Sequence, residues 1–243
     1  HYTMKTIFCL LLTIMISACC YGWKTQKSIK GSGNVQTEER NVTSFNEIKA
    51  SRGIHVFLTQ GEAKAVVVKT DDNIQPYLET VVKDNALEIR IVQDVNIEKA
   101  TQMDVYVTVP LLKEIKATTS ANIEGTAPWE FTDLDISTTT SANINLDLTA
   151  VAIDVKATTS GSVTLKGKTE KLEIKATTSA QIKAEELTAR FAEVGATTSG
   201  DVYIYVTDKL EYKLTTGANL VYKGDPRVTN AATSTGGSAT HRK

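Results

Sequence analysis

The chain has 243 residues with 27 basic and 28 acidic side chains, a net charge of −1, and that balance gives no reason to expect nucleic acid as a partner. Aromatic residues make up 6% and there are four prolines; with Thr, Val and Ile frequent, this suits many narrow, repetitive strands better than a globular α/β core. All three cysteines, Cys9, Cys19 and Cys20, precede residue 21, which excludes a disulfide framework or a cysteine metal site from the rest of the chain.

Met4-Lys5, an apolar run from Ile7 to Ile16 and the small residues after it read as a signal peptide over residues 1–20. The run is shorter than the ~20 apolar residues that span a bilayer. Ile16-Ser17-Ala18-Cys19 resembles a bacterial lipobox, so Cys19 is the expected site of lipidation. Each buried methylene of a lipid chain favours the membrane by ~0.8 kcal/mol, so more than one chain gives stable anchoring. Residues 21–30 then form a short polar tether between the anchor and the folded part. The implied location is extracytoplasmic, at the outer membrane or cell surface through the lipid anchor, with a periplasmic or secreted protein as the alternative.

Residues 31–110 are expected to form an N-terminal β lobe that caps the repetitive part. Within it, FNEIKASRGIHVFL from Phe45 reads as a diverged first coil of the repeat that follows. Runs 64–70, 86–92 and 103–109 alternate as strands, and a short helix is expected to begin near Pro76.

From residue 111 the sequence repeats. The third residue of a TTS motif falls at Ser120, Ser141, Ser160, Ser179, Ser199 and Gly217, in steps of 21, 19, 19, 20 and 18. Six copies at this spacing, each with a period-2 stretch, are the signature of a β-solenoid over residues 111–226. Stacked coils put equivalent residues in columns. One apolar column is Ile115, Ile136, Val155, Ile174, Val194 and Tyr212; another is Ile123, Ile144, Val163, Ile182, Val202 and Leu220. Small residues fill two more, at Ala117, Thr138, Ala157, Ala176, Ala196, Leu214 and at Ala121, Ala142, Gly161, Ala180, Gly200, Ala218. No single coil could bury such surface alone, and burial contributes about 25 cal/mol per Å². Outward, Glu114, Asp135, Asp154, Glu173, Glu193 and Glu211 form an acidic ladder. The column Lys116, Ser137, Lys156, Lys175, Gly195 and Lys213 beside it offsets a like-charge repulsion of about 1 kcal/mol per pair in water. Adjacent threonines in an extended strand point to opposite sides, so Thr119, Thr139, Thr159, Thr178, Thr198 and Thr216 are expected to face inward. Residues 227–243 read as a flexible tail.

Gly31-Ser32-Gly33-Asn34 behind a lipoprotein-like signal, the Phe45…Gly53-Ile54-His55-Val56 segment and the repeated ATTSG/ATTSA coils resemble the "putative auto-transporter adhesin head GIN domain" family of Bacteroidetes-type exported proteins, over roughly residues 31–229. The family commonly has Asn where this chain has His55. The resemblance implies an all-β, right-handed parallel β-helix of about six coils of 18–21 residues at the cell envelope. It implies no enzymatic activity and carries no established ligand residues.

No catalytic constellation is visible. Carboxylate pairs can hydrolyse glycosides, but such sites need two unequal groups in one pocket, and here the acids recur identically and alternate with lysines. The same lysines argue against calcium. No Cys/His spacing suits zinc, and a Ser–His–Asp reading would rest on His55 alone. Trp129 is expected to cover the core from a loop, with an exposed sugar-stacking ring as the alternative. The leading expectation is a non-catalytic envelope module without cofactor or metal that binds a glycan or a surface protein. The alternatives are a β-helical carbohydrate-active enzyme and a structural envelope protein with no external ligand.

Overall fold

The computed structural model describes residues 26–243; the signal peptide, Cys19 and residues 21–25 of the tether lie outside the described residues. The strands, in chain order, are β1 (Lys27–Lys30), β2 (Val35–Arg40), β3 (Glu47–Ala50), β4 (His55–Gln60), β5 (Val66–Asp71), β6 (Leu78–Lys83), β7 (Ala86–Ile91), β8 (Val95–Lys99), β9 (Met103–Val109), β10 (Glu114–Thr118), β11 (Asn122–Gly125), β12 (Trp129–Thr139), β13 (Asn143–Ala157), β14 (Ser162–Ala176), β15 (Gln181–Ala196), β16 (Asp201–Leu214), β17 (Asn219–Lys223), β18 (Arg227–Thr233) and β19 (Ser238–His241). Seventeen of them form one sheet, a β-solenoid with an N-terminal lobe. Instead of the short helix expected near Pro76 there is one 3₁₀ turn, Gln75–Tyr77. Leu78 to Lys83 then continue as a strand, since the alternating and β-branched Thr80, Val81 and Val82 favour the pleat over the helix.

The repeat stacks in the register that its spacing demands. β10 pairs with β12 in parallel, Ile115 against Ile136 and Glu114 against Asp135. The sequence continues through Val155, Ile174, Val194 and Tyr212. The first five members of this column are 0–1% exposed, and Tyr212 is half-buried against the core. The diverged coil is real: Glu47, Ile48, Lys49 and Ala50 lie in register under Glu114, Ile115, Lys116 and Ala117. On its other side β7 and β9 stack in parallel on β3 and β4, which makes the lobe a cap over the first coil's edge.

Each full coil is almost one continuous strand. Along β13 the buried positions are Ile144, Leu146, Leu148 and Ala150, and after exposed Val151 they change phase to Ile153, Val155 and Ala157. That shift turns the chain through a corner while keeping apolar side chains inward. Trp129 belongs to the core. It is 1% exposed, stacks on Phe131 at 5.4 Å and lies in register with Leu148, so the sugar-stacking alternative falls away.

The TTS motif makes the opposite corner in a way that corrects the threonine assignment. Thr159 and Ser160 both have left-handed backbones, φ 51° and 60°, and the same pair recurs at Thr119-Ser120, Thr140-Ser141, Thr178-Ser179, Thr198-Ser199 and Thr216-Gly217. The next residue's N–H donates back across the turn, as from Gly161 to the Thr158 carbonyl at 3.0 Å. This is a two-residue type I′ turn. Thr119, Thr159, Thr178, Thr198 and Thr216 are therefore exposed turn residues. Thr139 belongs to a different column, with Thr118, Thr158, Thr177, Thr197 and Thr215, and it is these half-buried first threonines that bond along the stack, Thr215 to Thr197 at 2.8 Å and Thr158 with Thr177 at 3.3 Å. A left-handed backbone costs roughly 1–2 kcal/mol in a residue with a Cβ. The offset comes from stacking: each third-position N–H donates to the next coil's second-position carbonyl, as from Ser160 to Thr178 at 3.0 Å.

Residues 227–243 are not a loose tail. β18 pairs with β16 and β19 with β17, both in parallel, and Thr235-Gly236 repeats the left-handed turn with φ 50° and 79°. Likewise the end of the tether is structured, as β1 pairs in parallel with β8.

The GSGN segment is a clasp on the lobe. Asp71 is 0% exposed and accepts bonds from the N–H groups of Gly33 and Thr101, each at 2.7 Å, and from the Thr101 hydroxyl at 2.8 Å. A Cβ on Gly31 would lie 2.6 Å from the Asp71 carboxylate, so only glycine fits there. Ser32 and Asn34 side chains donate to Asp72 at 2.5 and 2.9 Å. Burial alone pushes the Asp71 carboxyl up, but the bonds from Thr101 and Gly33 outweigh it and hold the group below its ordinary value.

Candidate functional site

On the arm that precedes each I′ turn, outward residues i, i+2 and i+4 of every coil stand in three parallel columns. The middle column is the acidic ladder, extended by Glu47 to Glu47, Glu114, Asp135, Asp154, Glu173, Glu193 and Glu211 in unbroken register. On one side stand Lys49, Lys116, Ser137, Lys156, Lys175, Gly195 and Lys213. On the other stand Asp133, Ala152, Lys171, Phe191, Lys209 and Arg227.

Lysines pair with four of the seven ladder carboxylates, Glu47, Asp154, Glu173 and Glu211. Lys49 meets Glu47 at 3.2 Å, Lys156 meets Asp154 at 3.4 Å, and Lys175 donates to Glu173 at 2.6 Å. From the outer column, Lys209 reaches Glu211 at 2.6 Å and Lys171 lies 4.0 Å from Glu173. The bond from Lys175 holds the Glu173 carboxyl below its ordinary value and raises Lys175 in turn. Bonds from Lys209 and Thr229 lower Glu211 in the same way. Such exposed pairs are each worth little in stability. What they do is fix a face that is charged in detail and nearly neutral in sum.

Ser137 already interrupts the lysine column beside Asp135, and the coil of β15 departs from the pattern at two places. Phe191 replaces a polar, charged or small residue of the outer column, and it is 40% exposed. Gly195 replaces the lysine beside Glu193. Among the described residues Glu193 makes no salt bridge, as Glu114 and Asp135 make none, whereas Glu173 and Glu211 in the coils on either side do. Two shallow clefts meet here. The first, about 290 Å³, is lined by Lys171, Phe191, Ala192, Glu193, Lys209 and Glu211. The second, about 280 Å³, lies over Gly195 and shares Glu193 and Glu211 with the first. Arg190 braces the strand beside Phe191. It bonds Glu170 at 2.7 Å and Asp208 at 3.0 Å, tying three coils together, and its guanidinium lies 5.2 Å from the Phe191 ring centre. The acidic and lysine columns were legible in the repeat; Phe191 was not, because it stands outside the repeated motif.

The other residues weighed for chemistry are dispersed. His55 opens β4, in register with Asn122 and Asp104. Its ring lies 3.5 Å from Glu124 and 4.0 Å from Asp104 in ion-pair distance, and against Phe57. His241 stacks on Tyr222 in the last coil. Among the described residues no three His, Cys, Asp or Glu side chains gather in a way that would hold a metal ion. Every carboxyl whose pKa moves, Asp71, Asp72, Glu173, Asp208 and Glu211, moves downward.

Solved structures share this fold. A "putative adhesin" from Parabacteroides merdae is 23% identical, with a TM-score of 0.73 over 89% of this chain and 100% of that one. A "putative adhesin" from Bacteroides fragilis is 23% identical, with a TM-score of 0.79 over 88% and 98%. A "putative lipid binding protein" from Parabacteroides distasonis is 21% identical, with a TM-score of 0.70 over 89% and 100%. At these identities the likeness is one of fold. No curated protein matches the chain. The model of the family described as "Putative auto-transporter adhesin, head GIN domain" matches residues 44–226, which take in the diverged coil, the inserted lobe strands and the whole run of TTS coils. The chain belongs to that family.

Proposed function

We propose that the protein is an envelope-held adhesion module that binds a surface glycan through its charged face and catalyses no reaction. The observation that carries this reading is the face itself, where ordered columns of acidic and basic groups, paired in four of the seven coils, cross the solenoid. A glycosidase needs one carboxyl kept protonated in a pocket. Here the carboxyls that shift are held ionised by lysine, arginine, threonine and backbone partners. Repetition of equal groups suits multipoint contact with a polymer, where weak sites act together. Adhesion also requires export and retention. The signal-like residues 1–20 and the lipobox ending at Cys19 provide both, with the acylated Cys19 as the mature N-terminus.

Two measurements test this. Purified protein on arrays of glycans and matrix proteins should bind a subset of glycans and release no sugar from them. Turnover that a single substitution abolishes would overturn the reading, and an array blank for glycans would favour a structural envelope role. Cells fed a fatty-acid analogue should label the protein, and Cys19→Ala should remove the label. Retained label in that variant would contradict the anchor.

A further inference from the structure

We infer that Phe191, Glu193 and the gap at Gly195 form one subsite for a neutral pyranose ring of a polysaccharide, a proposal that rests on reading the charged face as a binding face. The three residues are i, i+2 and i+4 on one strand and so share one face. Two of them break their columns, and they do so in the same coil.

The fold does not require glycine at 195. Its backbone is not left-handed, and an added Cβ would meet its nearest neighbour, the Ile174 carbonyl, at 3.7 Å, an ordinary contact. Glycine within a strand weakens it, so the missing side chain is a cost with no structural return. What it does is leave Glu193 without the kind of lysine that pairs with Glu173 from Lys175 in the coil before, and open the cleft over the strand. An ionised carboxylate is an acceptor only, and this one faces a cleft. Sugar hydroxyls are the complementary donors.

Phe191 supplies the other half. It lies between Lys171 and Lys209 in register, and the three line one cleft. Arg190, pinned between Glu170 and Asp208, fixes the strand beneath it. An exposed ring with a fixed base presents an apolar surface for the C–H face of a pyranose. The charge pattern selects among sugars. Lys171, Lys175, Lys209 and Lys213 line the two clefts together with Glu173, Glu193 and Glu211, so charges of both signs alternate and neither a polyuronate nor a polycation meets a face of one opposite sign.

The test uses the full-length protein with three probes: a soluble neutral β-glucan, alginate as the polyuronate, and chitosan as the amino-sugar polymer. The β-glucan should bind in preference to alginate and chitosan. Phe191→Ala should weaken it roughly tenfold or more, the loss expected when a central aromatic contact is removed, while Phe191→Trp should retain it. Gly195→Lys, which restores the column's usual residue and a partner for Glu193, should also weaken binding by about tenfold with no loss of thermal stability. Glucan binding unchanged in both Phe191→Ala and Gly195→Lys would overturn the subsite while leaving the protein a glycan binder. Preference for alginate or chitosan would overturn the neutral-sugar assignment, and no binding to any of the three polymers would remove the subsite together with the glycan reading.

Discussion

Asp71→Ala should cost about 3 kcal/mol or more of folding stability, because it strands several buried donors at once. The carboxylate satisfies the N–H groups of Gly33 and Thr101 and the Thr101 hydroxyl. It also fills the space left by the absent side chain of Gly31. Its loss unties the Gly31–Asn34 segment and Thr101 from β5 in the lobe that covers the first coil. Asp71→Asn keeps the volume but offers only one acceptor oxygen, so an intermediate cost is expected. The group also sets a pH dependence. Its folded pKa lies below the ordinary value of 3.8, so its contribution is full above that value and is lost as pH falls through the folded pKa. Denaturant unfolding at pH 7 and at pH 3 should therefore show a smaller difference between wild type and Asp71→Ala at the lower pH. Equal differences at both would contradict the assignment.

The second large effect sets two sequence neighbours against each other. Ile174→Ala should cost about 2–5 kcal/mol, the range for truncating a fully buried aliphatic chain in a packed core. Ile174 is 1% exposed and lies between Val155 and Val194 in the column. Glu173→Ala, one residue away, should cost under about 1 kcal/mol, since its pairs with Lys175 and Lys171 are at the surface. Chemical denaturation of the two variants checks this. Similar losses in both would mean that in-and-out alternation does not govern this arm.

Repetition is what made the columns legible. Where six copies carry the same residue type, a single spacing assigns each position to core or solvent, and the structure keeps that register from Glu47 to Glu211. The misreadings arose where local geometry departs from an extended strand. Paired threonines alternate only in an extended strand, and here the second of each pair and the residue after it are left-handed. The last coil was missed because Asn230, Ala231 and Ala232 replace the acidic, apolar and basic residues that mark the others. The corner at Val151 carries no turn residue and shows only as a change of phase. The Gly31–Asn34 clasp joins residues some forty positions apart, through bonds that no period predicts. The candidate subsite was half visible: the gap at Gly195 stood in a known column, while Phe191 lay in a column that the repeat did not reveal.

Equivalent residues of successive coils stand directly above one another, and a cross-linking measurement tests that directly. In protein with Cys9, Cys19 and Cys20 replaced by serine, Asn143→Cys and Ser162→Cys occupy one exposed column in adjacent coils. Their Cα atoms should be about 4.8 Å apart, within the roughly 4.4–6.8 Å that a disulfide spans. Asn143→Cys with Thr164→Cys places the second thiol on the same face but two residues along, near 8 Å, beyond that span. Mild oxidation should close the first pair quantitatively and leave the second open. Closure of the second pair in preference to the first would contradict the stacked register and the columns built on it.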